Sequence, residues 1–139
     1  MTAETNFERY LNQLREVLDK YTTDDPFMER IASYPESAPL VPIRKDLNAR
    51  GRELDAIKPN PASMGWAKFT DHLEKHRALC LDEIHWAGEM LAVTKKHEDA
   101  EGQTYCISLI AYMYASGWVD LATFKVMKRT AHRRKGTPK

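Results

Sequence analysis

A chain of 139 residues has the length of one domain, and at that size about two-thirds of the unfolded surface can be buried, so neither a disulfide scaffold nor a structural metal is required. Its 42% hydrophobic and 29% charged residues exclude a disordered or fibrous chain, and the longest apolar run falls short of the roughly 20 residues that span a bilayer. The formal charge of +1 averages two unlike regions: residues 1–124 carry 14 Lys/Arg against 20 Asp/Glu, net −6, while residues 125–139 carry seven Lys/Arg and no acid, net +7.

The opening MTAETNFERYL has neither the basic nor the apolar region of an export signal, so the expected location is cytoplasmic. Cys80 and Cys106 are then expected to be reduced and buried rather than bridged. Thr5 with Glu8 three residues on forms the Ser/Thr-x-x-Glu pattern of a reciprocal helix cap. Phe7, Leu11, Leu14, Leu18 and Tyr21 follow at three- and four-residue steps, which predicts an amphipathic helix to about Tyr21. Asp25 is expected to cap a short second helix with Pro26 at its first position; Phe27 and Ile31 lie on it, and it should stop before Pro35. Pro35, Pro39 and Pro42 mark a stiff connector.

From Pro42, the residues Ile43, Leu47, Leu54 and Ile57 define one face of a third helix. Arg44, Lys45, Arg50 and Arg52 fall on its solvated side, and Gly51 weakens it by roughly 1 kcal/mol relative to alanine. Lys58-Pro59-Asn60-Pro61 ends it. The longest helix is expected from Ser63 to His97, with Trp66, Phe69, Leu73, Cys80, Ile84, Ala87 and Leu91 in one stripe, Leu79, Trp86, Met90 and Val93 widening it, and Gly88 as a kink or end.

Thr104 to Ala115, TYCISLIAYMYA, contains no charge. Read as a helix it is apolar on nearly all sides, the mark of a buried central element at about 104–116, with Gly117 as its C-terminal cap. A hairpin at 89–114 is the rival, since Tyr, Ile and Val suit strands; the Ala, Leu and Met content and the lack of a tight turn dipeptide favour helices. Asp120 should cap a last helix bearing Leu121, Phe124, Val126 and Met127. The expected fold is all-α, an irregular bundle of five to six helices forming one domain over 1–130, followed by a basic tail at 131–139.

Three constellations bear on function. His72, His76 and Cys80 recur every four residues on one helix face, so neighbours in the series can share a metal, but Cys80 lies about 12 Å of rise from His72 and the HExxH order is absent. Flank histidines and a core cysteine are the plainer reading, and no metal or cofactor is expected. Lys125, Lys128, Arg129, Arg133, Arg134 and Lys135 form a basic end able to neutralise phosphates with little sequence discrimination; the same cations also suit a helix C-terminus. Trp86, Met90 and Trp118 are residue types enriched at interface centres, and two helices apolar on several sides are hard to cover in a small bundle.

No glycine-rich phosphate loop or nucleophile elbow is present, and the paired carboxylates sit where caps and polar faces put them. The expectation is a non-enzymatic binding module, a regulator, adaptor or inhibitor of the phage or plasmid type, touching a protein partner or a second copy of itself through Trp86, Met90 and Trp118. The alternative is a nucleic-acid-associated protein that uses the basic end.

Overall fold

The computed structural model of the chain describes residues 5–58 and 60–117. Among these residues it has α1 (Asn6–Thr22), α2 (Asp25–Ala32), a 3-10 turn (Pro35–Ser37), α3 (Leu40–Asp55), α4 (Pro61–Met64), α5 (Trp66–Lys96) and α6 (100–117). The all-α fold stands, and no strand occurs among the described residues. The hairpin alternative at 89–114 is therefore excluded: α5 carries that segment to Lys96 and α6 resumes it from residue 100. No helix among them is long and apolar enough to cross a membrane. Trp118, the helix expected after Asp120 and the whole basic end lie outside the described residues.

Local chemistry explains each start and stop. The Thr5 hydroxyl accepts from the Glu8 amide at 3.0 Å while the Glu8 carboxylate accepts from the Thr5 amide at 3.3 Å, the reciprocal cap expected of that pattern. Helix α2 is capped one residue earlier than expected, by Asp24, whose Oδ1 accepts from the Phe27 amide at 3.1 Å. This frees Asp25 for the first turn, where the helix's positive end favours an acid. Pro42 lies inside the first turn of α3, where its missing amide would have had no helical partner, so the proline connector is shorter than the sequence implies.

The inward face of α3 also differs from its apolar pattern. Leu40 and Leu47 are buried, whereas Ile43 and Ile57 are exposed. The face runs through positions 40, 44, 47, 51 and 54, with Arg44 turned inward to pair with Glu83 of α5. Gly51 stands on this face, against Leu79.

Helix α5 is the spine. Gly65, at φ 82°, separates it from α4, so it begins at Trp66 rather than Ser63, and it passes Gly88 unbroken. Helices α3 and α4 and the 3-10 turn pack on it. Helix α6 returns antiparallel along it, with Gly102 against Thr94 and Gly117 against Cys80. The central core joins Leu18, Phe27, Ile31, Leu47, Met90 and Leu109 from five helices, each fully buried large side chain contributing about 1.5–3 kcal/mol. Helix α6 starts four residues before the expected element and buries Tyr105, Cys106, Leu109 and Ala115 on one side; Ile107 and Tyr114 are 54% and 62% exposed.

The α5–α6 corner is a Schellman closure: the Glu98 amide donates to Lys95 O at 3.1 Å and the Asp99 amide to Thr94 O at 2.9 Å. Glu98 takes the left-handed position, φ 53°, that normally calls for glycine. Glu98→Gly should therefore raise stability by about 0.5–1 kcal/mol, the relieved strain exceeding the extra freedom of the unfolded chain, and thermal unfolding reads it as a higher Tm.

Candidate functional site

Trp86 and Met90 do not form an exposed contact surface. They are 5% and 1% exposed, because α2, α3 and the 3-10 turn close over that side of α5. The Trp86 indole N–H donates to Leu40 O at 3.0 Å, and the Arg44 guanidinium lies 4.6 Å from the ring centroid. This corrects the expectation that the two side chains reach a partner directly.

The histidine series is divided by burial. His72 is buried with Nε2 3.0 Å from Leu54 O, and Cys80 is 2% exposed in the core. His76 lies between two adjoining cavities of about 240 and 360 Å³ along the α3–α5 seam, and Asp55 also borders both. Among the described residues no three His, Cys, Asp or Glu side chains converge on a point a metal would occupy. Cys106 is no better placed for nucleophilic chemistry, since burial pushes its thiol up to about 12. Burial pushes the Tyr105 hydroxyl up to about 12 as well.

A cluster of charged side chains fixes the corner where α2, the 3-10 turn, α5 and α6 meet. Asp99 caps α6 and accepts from the Gly102 amide at 3.0 Å, from Arg30 through Nε at 3.1 Å and Nη2 at 3.0 Å, and from the Tyr34 hydroxyl at 2.9 Å. His97 stacks on Tyr34 at 4.1 Å between centroids, with Nε2 2.7 Å from Glu36 Oε2. Burial raises the Asp99 carboxyl, but Arg30, the Gly102 amide and Tyr34 outweigh it and hold it below the usual range; His97 holds Glu36 low. A carboxylate whose pKa is depressed by folding adds stability above its unfolded pKa and loses it as pH falls through the folded value. The urea midpoint should thus fall below about pH 4, and Asp99→Asn should lower it at pH 7 and flatten the acid slope.

An exposed apolar face lies elsewhere, along the outer side of α5 and α6. Leu81 is 50% exposed, and with Ile84, Met113 and Tyr114 it lines a cavity of about 200 Å³ beside Gly117. Ile107 lies two turns from Tyr114 on the same side of α6. Met113 and Tyr114 of this face carry residue types known from interfaces, as do Trp86, Met90 and Trp118, but a choice by residue type passes over the aliphatic Leu81 and Ile107. The seven-residue step from Ile107 to Tyr114, in a segment with no charge to turn toward water, was the available signal. No protein-family model, curated protein or solved structure matches the chain.

Proposed function

We propose that the chain is a non-enzymatic binding module of the cytosol, a regulator, adaptor or inhibitor that acts by stoichiometric contact with another protein. The observation that carries this reading is the α5–α6 face, where Leu81, Ile107 and Tyr114 stand at least half exposed on two antiparallel helices. Leu81 and Tyr114 border the cavity and Ile107 extends the apolar side of α6 two turns beyond it, and exposed apolar groups of this kind mark protein-contact surfaces. Support for a non-enzymatic role comes from the buried state of both thiols and from the structural use of the polar groups: Asp99, Arg30 and Tyr34 bind each other, and His72 binds Leu54 O.

The test is affinity capture from an extract of cells that express the chain, with wild type beside a Leu81→Asp/Tyr114→Asp double variant checked for helix content by circular dichroism. A protein recovered at about one copy per chain by the wild type and lost from the variant supports the reading. Recovery that is the same for both removes the face from it. The second reading, nucleic-acid association, rests on the seven Lys/Arg and no acid over 125–139. It predicts retention of DNA or RNA that weakens steeply with salt and disappears from a chain ending at Thr130.

A further inference from the structure

On another side of the spine the fold leaves a cavity of about 170 Å³ between α2, the 3-10 turn, α3 and α5. Trp86 and Met90 form its floor, Ile31 and Leu40 its walls, and the surface within is wholly apolar. The one hydroxyl among its lining residues, on Ser37, is consumed by donating to Ile31 O at 2.6 Å. The floor is held rigidly. Trp86 is fixed by its bond to Leu40 O and by Arg44 above its ring, and Arg44 is itself fixed by Glu83 and by Asn48 Oδ1 at 3.0 Å.

Size and charge together define the occupant. Sites for whole small molecules run to about 300–1,000 Å³, so this cavity is too small for one and suits a single aliphatic or aromatic side chain. Pockets that desolvate one anchor side chain are where interface energy concentrates. Among the residues that line it only Arg44 and Lys45 are charged; Arg44 is already paired with Glu83, which leaves the exposed Lys45 as the cation that an incoming group meets. An anion beside the anchor is therefore favoured and a cation disfavoured.

We propose that this cavity takes one apolar side chain from an acidic segment of a partner protein, with a carboxylate next to that side chain meeting Lys45. The inference rests on the protein-binding reading but uses a surface separate from the α5–α6 face. It gives Trp86 and Met90 a part in recognition as the floor under an anchor.

Trp86 supplies the readout. The chain has three tryptophans, so Trp66→Phe/Trp118→Phe leaves Trp86 as the sole indole emitter. That protein is titrated into the millimolar range with the blocked tripeptides Glu-Leu-Glu and Lys-Leu-Lys, and with hexanoate. The expected result is a saturable emission shift with Glu-Leu-Glu and binding about tenfold weaker for Lys-Leu-Lys, a preference reversed by Lys45→Glu. Ala32→Leu, at an exposed position on the cavity rim, should abolish the shift with Tm unchanged. No emission change with any peptide would overturn the proposal, and so would equal binding of both peptides that Lys45→Glu leaves alone. Hexanoate binding tenfold tighter than Glu-Leu-Glu would also overturn it, in favour of a small-carboxylate site. These titrations use purified protein and no native partner, so their failure is distinct from failure of the capture experiment on the α5–α6 face.

Discussion

Gly102→Ala is expected to destabilise the fold by about 3 kcal/mol and to lower Tm by roughly 10 °C. The usual sign is opposite, because alanine in place of glycine within a helix stabilises by about 0.5–1 kcal/mol. Here an added Cβ would lie 2.5 Å from Thr94 Cγ2 and 3.0 Å from the Asp99 carboxylate. Neither neighbour can easily yield. Thr94 is completely buried, β-branched, and tied by its hydroxyl to Leu91 O at 2.9 Å; Asp99 is held by Arg30, Tyr34 and the Gly102 amide itself. Relief would require α6 to lift from α5 and would loosen the Asp99 link to α2. Urea and thermal unfolding measure the loss, and Thr94→Ser, which removes the offending methyl, should restore most of it in the double variant. A neutral or stabilising Gly102→Ala would mean that the helices do not approach this closely.

The parts of the fold legible from sequence are those set by neighbouring residues. The Thr5–Glu8 cap, the end of α2 before Pro35 and the α5 stripe of Phe69, Leu73, Cys80 and Ala87 follow from spacing alone, and all are present. What could not be read depends on a partner distant in the chain. Arg44 belongs to a mixed charge run that looks solvated, and only the presence of Glu83, 39 residues away, turns it inward and displaces Ile43 to the surface. Asp99 lies in a stretch, HEDAEGQ, with the composition of a plain loop, yet it closes a corner with Arg30, 69 residues earlier. The same limit governs the candidate sites. Residue type marked Trp86 and Met90 as interface material, but burial is decided by what α2 and α3 place over them, and the cavity above them is a product of packing that no local pattern encodes.

Arg44→Met is expected to destabilise by about 3–5 kcal/mol, Glu83→Leu by less, and the double variant by little or nothing. The Glu83 side chain is 7% exposed and the Arg44 side chain 14%. One carboxylate oxygen of Glu83 binds Arg44 while the other, Oε2, is buried with no hydrogen-bond partner, so the loss of hydration is only partly compensated. Removing Arg44 leaves that carboxylate charged and alone between α3 and α5, and also removes the cation above Trp86, worth about 1 kcal/mol. Removing Glu83 is milder, since the longer and more exposed arginine can turn its head toward water. Replacing both with apolar groups of similar volume removes the desolvation penalty altogether. Urea unfolding of the four proteins at pH 7 gives the coupling directly. If the double variant is as unstable as Arg44→Met, the pair is a net source of stability. If it is near wild type, the pair's role is to orient Arg44 over Trp86, and the double variant should then lose binding of Glu-Leu-Glu at the cavity while keeping its fold.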